Sequence, residues 1–138
     1  MLYVASIGGG MEPIGMLTMV QVDADDPASL AEFWSAVLGR PVAAPLGDPP
    51  HYVGLEPAAG ETSTVSFVRV PESKAAKNRL HFDVWVDDVD RAQAAIQSLG
   101  GRHVPVADFH EYGFHWRQMT DPEGNEFCLI FEGVDGTP

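Results

Sequence analysis

Residues 78–90 read NRLHFDVWVDDVD and place a cation, an imidazole, a carboxylate and an indole at every second position: Arg79, His81, Asp83 and Trp85. Side chains two apart on a strand share a face, so these four are neighbours, and Leu80, Phe82, Val84 and Val86 form the opposite, apolar face that seeks a core. His81 beside Asp83 is the arrangement of an oriented imidazole, in which a carboxylate fixes the ring, as in general acid–base pairs. Three chemistries stay open for the face. It can transfer protons, as in a lyase or isomerase. It can present a hydrogen-bonding network to a bound molecule, or lend an imidazole to a metal. A covalent mechanism has no nucleophile: no serine is framed by glycines, and Cys128 lacks a visible activator. Trp85 and Trp116 add candidate aromatic walls, and an indole is costly to leave on an open surface.

A second group, His110, Glu111 and His115 in FHEYGFHW, spaces its histidines five apart across a glycine. That fits neither the i, i+4 pair of a helix nor the i, i+2 pair of a strand. The segment reads as a polar loop leading into a strand.

An internal repeat supplies the elements that hold these residues. Shifted by 62 positions, residues 22–42 overlie 84–104 with six of 21 identities, among them both paired aspartates and the Gly-Arg that follows each helix. Leu30, Phe33, Trp34, Val37 and Leu38 make one broad apolar stripe of a helix. Asp25 or Asp26 is its N-cap, Pro27 suits its first turn and Gly39 its left-handed end. The second helix has the thinner stripe Val89, Ala92, Ile96 and Leu99, starts at Asp87 or Asp88, and stops at Gly100-Gly101. Three strand-like runs follow each helix: near 41–44, HYVGLEP and STVSFVRV in the first half; near 102–106, GFHWRQM and EFCLIFE in the second. Phe67 and Trp34 are expected in the core, and the TDPEGN turn takes its backbone angles from Pro122 and Gly124. The expected fold is α+β: two tandem β-α-β-β-β modules, about 17–71 and 79–132. Residues 1–16 are an N-terminal appendage with a glycine break at 8–10, and 133–138 a C-terminal tail.

Composition bounds the partners. Twenty acidic against eight basic side chains give a net charge of −12, which repels phosphate backbones and anionic lipid. No apolar run approaches the roughly 20 residues of a membrane span, no signal-peptide pattern opens the chain, and the single cysteine allows no internal disulfide. A cytoplasmic protein without nucleic-acid or membrane partners is expected.

The layout, with DPEGNEF before the last strand and VDDVDRAQAAIQSLGG at the second helix, resembles the vicinal oxygen chelate superfamily over roughly residues 17–132. This group includes glyoxalase I, bleomycin-resistance proteins and extradiol dioxygenases. VRVPESKAAKNRLHFDVWVDD together with DPEGNEFCL is similar to its glyoxalase-like branch. The resemblance implies a curved mixed sheet around a cleft with the helices outside, a homodimer, and cleft-facing Arg79, His81, Asp83 and Trp85. Metal-dependent relatives hold a divalent ion with His, Glu or Gln from four strands; the matching positions here are Met19, Val68, His81 and Cys128. A thioether, an isopropyl group, an imidazole and a thiol do not make a hard-ion site. Gln21 and Glu126 share those alternating faces, two residues away in register.

The expectation is therefore a glyoxalase-like protein with neither catalytic metal nor cofactor. Its ligand is a small aromatic or amphipathic molecule, held by Arg79, His81, Asp83, Trp85, Gln21, Met19, Val68, Trp116 and Cys128. The alternatives are a metal-independent lyase or isomerase with His81 and Asp83 as its catalytic pair, and a metal-dependent glyoxalase or dioxygenase.

Overall fold

The computed structural model describes residues 11–133, so the glycine break at 8–10 and residues 134–138 lie outside the described residues. Residues 11–16 form neither helix nor strand and are largely exposed. The chain divides after Pro71 into two units.

In the first unit, strand β1 (Met19–Ala24) is followed by helix α1 (Pro27–Leu38), then β2 (Tyr52–Gly54) and β3 (Thr64–Arg69). The sheet order is β1-β3-β2, parallel between β1 and β3 and antiparallel between β2 and β3. Of the two candidate caps it is Asp26 that accepts from the Ser29 amide, and the bonds from Ser29 hold its carboxyl below the ordinary carboxylate range. Gly39 ends α1 at φ 66°, a left-handed conformation that a side chain would resist. Leu30, Phe33 and Trp34 of the helix stripe are buried, as are Phe67, Val53 and Leu55 of the sheet.

The strand expected near 41–44 is reduced to one bridge, Val42 to Leu55, supported by bonds from the Ala43 amide to Gly54 and from the Glu56 amide to Pro41. Pro41 and Pro45 bracket it, and a residue without an N–H cannot extend a ladder.

The second unit runs β4 (Asp83–Trp85), α2 (Val89–Ser98), β5 (Arg102–His103), β6 (Phe109–Glu111), β7 (Phe114–Thr120) and β8 (Glu126–Phe131). Its sheet order is β4-β8-β7-β5, with β6 also on β7. β4 runs parallel to β8, and the other pairs are antiparallel. Asp88 caps α2 by accepting from the Arg91 amide. The β7–β8 turn is organised by buried Asp121, whose carboxylate accepts from the Glu123 and Asn125 amides and the Asn125 side chain. The described residues are thus α+β, with two helices and two mixed sheets.

Two details depart from the alternation. Leu80 is 76% exposed instead of lying in the core, because the ladder begins only at Asp83. Before it, Asn78 acts as a substitute strand residue: its side chain accepts from the Glu126 amide and donates to the Glu126 carbonyl. The second departure is β6. The segment expected as a polar loop is a strand, joined to β7 by a two-residue turn in which Tyr112 and Gly113 both have positive φ, 53° and 81°. Such a turn matches the twist of a hairpin and tolerates a polar sequence, since the ladder bonds belong to the backbone.

Candidate functional site

Alternation gives the second sheet two different faces. His115, Arg117 and Met119 of β7, with Phe127 and Leu129 of β8, point toward α2 and are buried or nearly so. Their neighbours Phe114, Trp116, Gln118, Glu126, Cys128 and Ile130 point the other way and line a cavity of about 690 Å³. His81, Asp83, Phe109, Glu111, Tyr112, Lys77 and Asn78 complete its walls.

Register orders this face into rows. Asp83, Cys128 and Gln118 lie side by side across β4, β8 and β7, a polar row next to His81. Ile130, Trp116 and Phe109 form the next row across β8, β7 and β6. Trp116 and Phe109 stack nearly parallel, with centroids 5.3 Å apart and planes 8° apart. Glu111 opposite Phe114 closes the hairpin end. The site therefore has a hydrogen-bonding end and an aromatic end, the mixture typical of small-molecule pockets.

At the polar end His81 Nε2 stands 3.4 Å from Asp83 Oδ1, with both side chains more than half exposed at the cavity wall. Burial, and after it the Asp83 charge, pushes the Cys128 thiol up. Glu126 is fastened from several sides. Burial opposes its charge, yet bonds from its own amide and the Asn78 amide, with Lys74 and Lys77 nearby, hold it below the ordinary carboxylate range.

On the opposite face Arg117 donates from Nε and Nη2 to the two Asp108 oxygens, each at 2.8 Å, and from Nη1 to Asp90 and Gln93 of α2. This tie fixes the strand positions flanking Trp116 and Phe109. His110 and His115 meet through their Nδ1 atoms on the same side, and His115 packs on Phe131. The two histidines therefore face away from the cavity, and only Glu111 of that group lines it.

Among the residues singled out by sequence, His81, Asp83, Trp116 and Cys128 line the cavity together. Arg79 and Trp85 are outside the lining: Arg79 precedes the ladder, and Trp85 lies beside Ile130 in the register, on the edge strand β4. Met19, Gln21 and Val68 belong to the first unit and are not in the lining; the first two touch each other, Gln21 Nε2 to Met19 Sδ at 3.0 Å. Sequence reasoning missed Phe109, Tyr112, Phe114, Gln118 and Ile130. Alternation along GFHWRQM and EFCLIFE carried the signal for Phe114, Gln118 and Ile130. Phe109 and Tyr112 became visible only with the hairpin.

Of the four positions that the resemblance matches to metal ligands, the structure groups His81 and Cys128, and it adds Asp83 as a third donor. Ligand atoms of His81, Asp83 and Cys128 all lie within 4.8 Å of one another. The set still does not fit the hard divalent ion of metal-dependent relatives. One of its three donors is sulfur, and that thiol is held in its neutral form, so a metal must bear the cost of deprotonating it.

In each half a strand, a helix and further strands follow in turn, and the first strand pairs parallel with the last, β1 with β3 and β4 with β8; this defines the class, the vicinal oxygen chelate fold. The chain belongs to the glyoxalase-like domain family, whose model matches residues 19–130. Similar solved structures include a glyoxalase/bleomycin resistance protein/dioxygenase family enzyme from Burkholderia phytofirmans PsJN, 18% identical with a TM-score of 0.67, covering 85% of this chain and 98% of that one. Another is a glyoxalase/bleomycin resistance protein/dioxygenase from Nocardioides, 12% identical with a TM-score of 0.63, covering 93% and 90%. TioX from Micromonospora sp. ML1 is 19% identical with a TM-score of 0.57, covering 86% and 100%. At these identities the likeness is one of fold. No curated protein matches the chain. Among the described residues no helix is long and apolar enough to cross a membrane.

Proposed function

We propose that this glyoxalase-like protein binds a small aromatic or amphipathic molecule on the second sheet, without a catalytic metal. The observation that carries the reading is the division of one sheet face into the polar row of Asp83, Cys128 and Gln118 and the stacked pair of Phe109 and Trp116. A flat ring gains stacking area at one end, and its polar substituents find partners at the other. Mass spectrometry of molecules released from the purified protein, followed by calorimetry with the candidate, tests it. His81→Ala is expected to weaken binding by about 1–3 kcal/mol through a lost hydrogen bond, and Trp116→Ala to weaken it through lost stacking. Binding untouched by both substitutions contradicts the reading. Stoichiometric metal in protein purified without chelator, lost in His81→Ala, contradicts its metal-free part.

A second reading draws on the 3.4 Å separation of His81 and Asp83. A carboxylate at this position orients the imidazole for proton transfer, so a metal-independent lyase or isomerase reaction fits the same pocket. Turnover of the bound molecule, abolished by His81→Gln, favours it over simple binding. A cytoplasmic homodimer completes the proposal, the dimer by analogy with the fold; light scattering near the 14.9 kDa of one chain at micromolar concentration contradicts the dimer.

A further inference from the structure

The hairpin end of the cavity has a chemistry of its own. Phe109, Tyr112, Phe114 and Trp116 all line it from a single β6–β7 hairpin, and the one charged side chain among them is Glu111. Glu111 lies directly across from Phe114 and diagonally across from Trp116, within the reach of cross-strand neighbours. Among the described residues no lysine or arginine pairs with it. Lys77, the sole ammonium in the lining, acts on Glu126 and Cys128 at the far end, Lys74 pairs with Glu126, and Arg117 is engaged with Asp108 and Asp90 on the opposite face.

Aromatic faces carry negative electrostatic potential and attract organic cations, and an unpaired carboxylate beside them adds charge of the same sign. Tyr112 strengthens the case. It is 91% exposed and left-handed in backbone, a position where asparagine or glycine would fold more easily. An aromatic kept there suits a role in binding better than one in folding.

We infer that the hairpin end of the cavity is a subsite for an organic cation, an alkylated ammonium group carried on or beside the ligand's aromatic ring. The inference deepens the ligand-binding reading above and rests on it. The ammonium sits over the Trp116 and Phe114 rings with Glu111 at its side, and the rest of the molecule extends toward Gln118 and Asp83. An anionic substituent at that end meets only like charge.

Two probes of one shape separate charge from area: the cation 3-hydroxyphenyltrimethylammonium and its neutral isostere 3-tert-butylphenol. Each is titrated into the full chain at low salt while NMR follows the Trp116 indole N–H and the amides of residues 109–116. The cation is expected to bind roughly fivefold more tightly. Glu111→Gln should cut that preference to the part the ring faces supply while leaving the isostere unchanged, and added salt should shrink the difference. Equal or tighter binding of the neutral probe overturns the cation subsite and leaves the aromatic-ligand reading standing. A cation preference that Glu111→Gln leaves undiminished also overturns it, because Glu111 then contributes nothing to the attraction. Silence of the hairpin signals toward both probes overturns both readings.

Discussion

Replacing Arg117 by methionine removes the guanidinium and keeps most of the aliphatic volume. The side chain is 14% exposed and makes two parallel 2.8 Å bonds to Asp108, whose own side chain is 26% exposed. Charge-assisted bonds in such partly buried settings contribute about 1.5–3 kcal/mol, and the substitution also strands the Asp108 carboxylate. The contact to Asp90 adds little, since that carboxylate is 86% exposed and screened by water. A loss of about 2–3 kcal/mol at pH 7 follows for Arg117→Met, against less than about 0.5 kcal/mol for Asp90→Asn. The bonds from Arg117, foremost, hold the Asp108 carboxyl below its ordinary value of 3.8. A carboxyl depressed in the folded state stabilises fully above its unfolded value and loses that contribution as pH falls through the folded one. The gap between wild type and Arg117→Met should therefore be full at neutral pH and narrow below about pH 4. Urea titrations at pH 7 and pH 3 measure it. Near-UV circular dichroism reports whether the Phe109–Trp116 stack loosens, because Asp108 and Arg117 are the chain neighbours of those rings. A loss under about 0.5 kcal/mol, or one that does not change with pH, refutes the reasoning.

Tyr112→Asn should stabilise the hairpin by about 0.5–1 kcal/mol, since asparagine accepts positive φ, while weakening binding of a cationic aromatic probe; thermal melts and the NMR titration read the two effects. Gly101→Ala should cost about 1–3 kcal/mol, because its new Cβ would stand 2.4 Å from Ile96 Cγ2 and 3.1 Å from the Thr120 carbonyl; urea unfolding checks this. Cys128 should react slowly with iodoacetamide near pH 8, because burial and then the Asp83 charge disfavour its thiolate, and Asp83→Asn should speed the reaction severalfold. A rate equal to that of a free thiol would contradict the raised thiol.

What the sequence made legible follows the strength of its local signals. The α1 stripe, the aspartate cap and Gly39 are each a requirement of one helix, satisfied within a few residues, and all are present. The long strands β7 and β8 were legible because alternation persists over six or seven residues. The hairpin strand β6 was not: three residues of Phe-His-Glu carry no period, and its turn uses tyrosine where the usual signal is asparagine or glycine. Leu80 was misplaced for a related reason. The alternation is real, yet a side-chain clasp from Asn78 takes the place of backbone pairing there, and the apolar side chain is left outside. In the site, His81, Asp83, Trp116 and Cys128 could be found by parity on single strands, whereas Phe109 and Tyr112 required knowing which strand lies beside β7.

The alternation along β7 also separates two kinds of evolutionary freedom. Arg117 and Met119 look toward α2 and answer to the architecture, whereas Phe114, Trp116 and Gln118 look into the cavity and answer to its contents. Point substitutions at the second set can explore new ligands while the framework stays in place, so a combinatorial library confined to those positions should remain largely foldable. A single inserted or deleted residue within the strand would exchange the two sets at once, putting a guanidinium where the ligand lies and an indole where the aspartates wait. Lineages of this fold should accordingly diversify here by substitution and accept length changes only in the turns.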